Sequence, residues 1–184
     1  ADIHKLGYSP KGVSVILYRN RSLRRHQTFV FDDWLGGFYA SPNLQGSRSG
    51  MPMATAWAVM QHLGLEGYQA LTRETLENAD RMRAGIGKTD GLRVLGDSQY
   101  HLIAMASELE ADGSESLDVF ALGDALLSRG WYHDRQKPPD TLHSTVSNTN
   151  AGVIEDYLEA LQECVHEVGE QRTQDRSTSY STLE

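Results

Sequence analysis

An apolar, β-branched run, Val13-Ser14-Val15-Ile16-Leu17-Tyr18, stands directly behind a loop punctuated by Gly7, Pro10 and Gly12. It barely alternates between apolar and polar, which is the pattern of a strand buried on both faces of a sheet. The run therefore predicts an interior strand fed by a tight turn.

The loop itself reads Asp2-Ile3-His4-Lys5-Leu6-Gly7-Tyr8-Ser9-Pro10-Lys11-Gly12. Gly7 and Gly12 let the backbone turn beside a bulky group, and Pro10 stiffens the path between them. That is how an amine is held still, and we read Lys5 as a reactive amine. A lysine that forms a Schiff base must be neutral when it attacks, whereas a free ammonium has a pKa of about 10.4. Lowering it by roughly three units costs about 4 kcal/mol, which burial and a nearby cation such as Lys11 supply.

Further blocks follow: Asp33-Trp34-Leu35-Gly36-Gly37-Phe38-Tyr39-Ala40-Ser41-Pro42, then Gln45-Gly46-Ser47-Arg48-Ser49-Gly50, then Ala54-Thr55-Ala56-Trp57-Ala58. With His4-Lys5-x-Gly-x-x-Pro10-Lys11-Gly12 these resemble the sphingosine-1-phosphate lyases, within the pyridoxal-phosphate-dependent group II decarboxylase family. The resemblance is dense over residues 1 to about 68 and thins beyond. Leu35 stands where a varied residue precedes the glycine pair, and Ser49 replaces the proline often found after Gly-Ser-Arg; neither change removes a reactive group.

The resemblance implies an α/β chain of the aminotransferase-like fold (fold type I). It comprises the end of the large cofactor domain and the small C-terminal α+β domain, and the enzyme begins some hundreds of residues earlier. It implies pyridoxal 5'-phosphate carried on Lys5, His4 near the cofactor phosphate, and Lys11 close to the substrate or a proton-transfer step. Gly46 and Ser47 match a loop that reaches the cofactor phosphate of the neighbouring subunit in a homodimer. The residues support this independently, since Gly46-Ser47-Arg48 offers backbone N–H groups, a hydroxyl and a cation just before a helix, the donors a phosphate requires. An ordinary helix cap accounts for the same tripeptide equally well. Arg48 and Tyr39 complete the candidate substrate contacts. The implied reaction is retro-aldol cleavage of a phosphorylated sphingoid base to a long-chain aldehyde and phosphoethanolamine. A decarboxylase of the same family is the second reading, which Pro10-Lys11-Gly12 argues against, and a non-catalytic fragment or partner subunit is the third.

Charge sharpens the ligand class. Residues 1–50 hold seven Lys and Arg against three acids, leaving 10 against 22 of the chain's 17 and 25 for the rest. A basic leading section on an acidic body suits a local anion rather than nucleic acid, which needs a broad basic face. The single Cys164 excludes an internal disulfide and fits a reducing, cytoplasmic setting. No apolar run approaches the roughly 20 residues that span a bilayer.

Along the chain, a helical turn is expected at 22–27, a short extended piece at 28–31, and a Gly- and Ser-rich irregular segment at 33–50. A helix from Pro52 ends at Gly64, and a second covers 66–86 with Tyr68, Leu71, Thr75, Leu76, Ala79, Met82 and Ile86 on one stripe. Strands follow at 92–95, 101–106, 131–133 and 142–146, with helices at 117–127 and after an Asn148 or Asn150 cap. This predicts a mostly antiparallel sheet with helices on one face. We expect three regions: 1–66, the end of the cofactor domain; 67–170, the small α+β domain; and 171–184, a loose polar tail whose final Leu183-Glu184 reads as an added pair. The histidines other than His4 lack ligand spacing and read as structural or solvated, with no metal site.

Overall fold

The computed structural model describes residues 1–179 of the 184. The chain divides into two compact units, Ala1–Gly67 and Tyr68–Glu184.

In the first unit the leading segment closes on itself. Asp2 and Ser14 form an antiparallel bridge, and the Val15 N–H donates to the Ala1 carbonyl at 2.9 Å. Helix α1 (Arg21–Arg24) is capped by Asn20, whose side chain accepts the Leu23 N–H, and one 3-10 turn continues it to Gln27. Strands β1 (Phe29–Phe31) and β2 (Tyr39–Ser41) pair antiparallel, with Phe31 opposite Tyr39. The irregular segment expected at 33–50 thus contains a short strand, made of three consecutive residues that extend easily beside β1.

The expected buried strand at 13–18 is not there. Ser14 makes one isolated bridge, and Ile16 and Leu17 are 61% and 91% exposed. A run of that composition is a strand only where neighbours cover it, and the described residues supply none. Ala56 is the one buried hydrophobic residue of this unit among the described residues, while Phe29, Val30, Trp34, Phe38 and Trp57 are exposed. So much bare apolar surface marks a face made to be covered.

Helical structure α2 (Met51–Ile86) is interrupted at Gly64, whose φ of 58° and ψ of −175° are open to glycine and closed to residues with a Cβ. The stop expected at that glycine is present, and the chain resumes as a helix at once. From Tyr68 onward the helix belongs to the second unit.

The second unit is built on a four-stranded antiparallel sheet in the order β3-β4-β6-β5, made of β3 (Leu92–Val94), β4 (Leu102–Ser107), β5 (Asp134–Gln136) and β6 (Thr141–Thr145). Ile103 and Met105 alternate inward from β4. They join one core with Ala79, Met82 and Ile86 of α2, Phe120, Leu122 and Leu126 of α3 (Val119–Ser128), and Tyr157, Leu161, Cys164 and Val168 of α4 (Ile154–Val168). Each such aliphatic or aromatic side chain, fully buried, contributes about 1.5–3 kcal/mol. Asn78 of α2, itself buried, fastens the sheet end by donating to the Ser147 and Asn148 carbonyls.

Three local expectations need correction. The strand begins at Asp134 rather than Trp131, because the Gly130 and Trp131 N–H groups still close helix α3 by bonding Leu127 and Leu126 carbonyls at 2.9 Å. Neither Asn148 nor Asn150 caps α4; both lie in a 3-10 turn, where the Asn150 side chain accepts the Ser147 N–H at 2.7 Å, and α4 starts only at Ile154. Nor is the segment after 171 loose up to residue 179. Arg176 pairs with Asp118 at 2.7 Å and with Asp140, stacks its guanidinium 4.7 Å from the Phe120 ring, and the Thr173 N–H bonds Asp118. The rest of that tail, Leu183-Glu184 included, lies outside the described residues.

Asp118 joins these parts, since its carboxylate also caps α3 through the Phe120 and Ala121 N–H groups. Burial works to raise its pKa, but the hydrogen bonds from Arg176, Thr173, Phe120 and Ala121 outweigh burial and hold it below the usual value. Replacing Asp118 by Ala removes a cap and a charged partner together. We expect a loss of about 2–3 kcal/mol in urea melts and faster tryptic cleavage after Arg172.

His133 gives a second check. Burial, first, pushes its pKa down to about 4, and burial together with nearby His143 lowers that of His101. A histidine kept neutral in the fold contributes stability above its unfolded pKa of about 6.5 that is lost as pH falls toward 4. Urea melts of the intact protein should lose about 3 kcal/mol over that window, and His133→Gln should remove most of the slope.

Candidate active site

The candidate site starts from the closed turn 2–9. Gly7 is essential to its path: a Cβ there would meet the Ile3 carbonyl oxygen at 2.4 Å and the Ile3 Cα at 2.8 Å, both backbone atoms. That same Ile3 oxygen accepts the Ser9 N–H at 3.1 Å, and the Tyr8 N–H bonds the Lys5 carbonyl at 2.9 Å. Tyr8 takes a left-handed φ of 58°, a cost borne within the turn.

Asp2 holds the working side chains of this turn. Its Oδ1 accepts the Ser14 hydroxyl, and its Oδ2 lies 3.4 Å from Lys5 Nζ and 3.9 Å from His4 Nε2. The Ser14 hydrogen bond first, then that from Lys5, pulls the Asp2 pKa below the ordinary carboxylate value. The other His4 nitrogen, Nδ1, lies 3.3 Å from the Val13 carbonyl oxygen, so the ring is held between two points. His4 and Lys5 are thus brought together through one carboxylate. Asp2 is the residue that sequence reasoning passed over; its signal was an acid three positions before the lysine, inside the very stretch that framed it.

The surroundings expected of Lys5 are different from those found. Its side chain is 63% exposed, and its charged neighbour is Asp2, not Lys11. Lys11 lies exposed in the bend that follows Pro10. Tyr39 sits on β2, its ring 6.4 Å from those of Phe29 and Trp34. Gly46, Ser47 and Arg48 form an exposed loop ahead of α2, where Ser49 Oγ accepts the Met51 N–H at 3.3 Å. Among the described residues no hydrogen bond or ion pair ties this loop to the Lys5 turn. Lys5, Lys11, Ser47 and Arg48 are therefore exposed, while the His4 imidazole is mostly enclosed beside Lys5.

A scan against models of protein families gives no match. Individual proteins do match: the chain is 36% identical over 167 residues to the sphingosine-1-phosphate lyase of Arabidopsis thaliana and 34% over 170 residues to sphingosine-1-phosphate lyase 1 of Rattus norvegicus, in each case 91% of this chain and 29% of that protein. The chain is a homologue of the sphingosine-1-phosphate lyases. It spans less than a third of the length of these relatives. Among solved structures, a sphingosine-1-phosphate lyase of Burkholderia pseudomallei superposes with a TM-score of 0.79 at 40% identity, covering 90% of this chain and 36% of that one. Glutamate decarboxylase of Lactobacillus brevis superposes at 0.70 with 19% identity over 93% of this chain and 40% of that one, a likeness of fold. The fold is that of the fold type I pyridoxal-phosphate enzymes, as the sequence resemblance implied. Among the described residues no helix is long and apolar enough to cross a membrane, and no group of metal-binding side chains assembles.

In this lyase homologue the Lys5 turn depends on the absence of a Cβ at position 7. Gly7→Ala must push the Ile3 carbonyl away from the Ser9 N–H. Hydrogen exchange at the Ser9 amide is expected to rise at least tenfold, with exchange in the second unit unchanged.

Proposed function

We propose that the enzyme to which this chain belongs uses pyridoxal 5'-phosphate to split a phosphorylated long-chain sphingoid base into a long-chain aldehyde and phosphoethanolamine. The observation that carries the reading is Lys5, held in a turn of fixed path within a chain 34–36% identical to sphingosine-1-phosphate lyases over nearly its whole length. The donor set fits the cofactor: Lys5 supplies the amine that binds its aldehyde, His4 sits beside that amine, and Gly46 and Ser47 offer N–H and hydroxyl donors to its phosphate on the neighbouring subunit of a homodimer. When bound, the cofactor supplies an electron sink for the carbon–carbon bond that breaks.

The chain's own residues do the rest. Lys5 would hold the cofactor through its Nζ, and the same amine, when not so engaged, would carry a proton. Lys11, six positions on, is the second amine of the turn region and takes the proton of the substrate hydroxyl or bonds its phosphate. Arg48 pairs with the substrate phosphate, and Tyr39 hydrogen-bonds the phosphate or a substrate hydroxyl. The hydroxyl proton leaves to a base, the bond between the hydroxyl-bearing and amine-bearing carbons breaks, and a proton returns to the amine-bearing carbon.

For Lys5 to act as a neutral amine its exposed side chain must be enclosed, and the bare apolar run at 15–17 and the exposed aromatic residues around Tyr39 are surfaces suited to that enclosure. The remainder of the enzyme and the second subunit are the proposed cover. The single buried cysteine, Cys164, accords with a cytoplasmic setting.

The alternative, decarboxylation of an amino acid, rests on likeness of fold to proteins under 20% identical. Incubating the intact enzyme with phosphorylated sphinganine and, separately, with glutamate separates the two. Mass spectrometry should find hexadecanal and phosphoethanolamine from the first and no amine product from the second. Lys5→Ala should lower turnover by at least about 10³-fold, the scale on which loss of a covalent nucleophile acts; release of 4-aminobutyrate from glutamate would reverse the assignment.

A further inference from the structure

The turn that carries Lys5 contains an acid that the proposed reaction does not use. Asp2 is fixed through backbone and side chain alike: it forms an antiparallel bridge with Ser14, its carbonyl accepts the Lys5 N–H at 3.2 Å, and its Oδ1 accepts the Ser14 hydroxyl. The second carboxylate oxygen is left to face Lys5 Nζ at 3.4 Å and His4 Nε2 at 3.9 Å.

A carboxylate anchored in this way acts on charge as well as on position. It attracts the ammonium form of a lysine and has no such attraction for the neutral amine. The Ser14 hydrogen bond, first, and then that from Lys5 keep Asp2 ionised at neutral pH. Among the described residues the groups that face this carboxylate are Lys5, His4 and the Ser14 hydroxyl, while Lys11 is exposed in the bend beyond Pro10.

To join an aldehyde, the amine needs the opposite of what Asp2 favours, since it must be neutral to attack. The pair therefore belongs to the interval in which Lys5 is not joined to the cofactor. In that interval the flexible stem of a lysine would otherwise sample many directions. One oxygen of Asp2 settles both the proton and the direction, and an exposed pair is weak enough to part again.

We propose that Asp2 is a positioning residue of the reaction: it is the resting partner of Lys5 whenever that amine is not joined to the cofactor, keeping it protonated and within the turn, and it yields the amine to the cofactor aldehyde. The proposal rests on Lys5 being the cofactor-bearing amine.

Trace labelling with acetic anhydride, read by mass spectrometry on the intact enzyme stripped of cofactor, reports the neutral form of each lysine. Asp2→Asn keeps the size of the side chain and an oxygen for the Ser14 hydroxyl but removes the charge. At about pH 8 its Lys5 should be acetylated about threefold faster than in the parent, the scale of an exposed ion pair, with Lys11 unchanged. Asp2→Glu restores the charge and should restore slow labelling. Sodium chloride at about 1 M should speed Lys5 labelling in the parent and leave Asp2→Asn as it was, since only the parent has a pair to screen. Hydrogen exchange at the Ser9 amide should be alike in parent and variants. Equal Lys5 labelling in parent and Asp2→Asn, the same salt response in both, or faster Ser9 exchange accompanying the faster labelling would each overturn the proposal. Labelling requires no cofactor, so it is read separately from the cofactor attachment: cofactor mapped to another lysine would remove the role in the reaction whatever the labelling rates.

Discussion

The placement of Lys5 and His4 in the first unit depends on the Asp2 carboxylate. One of its oxygens accepts the Ser14 hydroxyl and fastens the two ends of the turn, and the other faces both Lys5 and His4. An exposed ion pair of this kind contributes little to stability by itself. Its role is geometric: it fixes a long, rotatable amine at the mouth of a turn whose backbone Gly7 and the Ser9-to-Ile3 hydrogen bond already define. A lysine on a freely moving loop would have to be ordered in every encounter, and a tethered one has met part of that entropy beforehand.

The two units differ in what holds them. The second closes its own core, with Phe120, Leu122, Leu142 and Leu161 fully buried and Asp118 and Arg176 fastening the chain that follows α4. The first presents its apolar side chains outward. Its role under the proposed function accounts for this, because an active site completed by a second subunit, as proposed, needs surfaces that become interior on assembly.

Much of this could be read from the sequence, for identifiable reasons. Periodicity located β4, since Ile103 and Met105 alternate inward, and it located the stripe of α2 because Ala79, Met82 and Ile86 recur at helical spacing. Gly64 was readable as a stop because only its backbone freedom suits the break. The likeness to sphingosine-1-phosphate lyases was readable because Lys5, Lys11, the Gly36-Gly37 pair and Gly46-Ser47-Arg48 stand in blocks of matching order and spacing. The run at 13–18 misled because composition signals what a strand could bury, not whether neighbours are present. The tether of residues 172–179 was hidden because it rests on Arg176 finding Asp118, 58 positions away, and no local pattern carries such a pairing. Asp2 was missed likewise: its significance is in what lies beside it after folding.

The central claim is that Lys5 is the amine to which the cofactor is covalently joined. Reducing the intact enzyme with borohydride and mapping its peptides by mass spectrometry tests this most directly. The account predicts a phosphopyridoxyl mass on the peptide containing Lys5 and not on the one containing Lys11 alone; an unmodified Lys5 with the label on another lysine would contradict it.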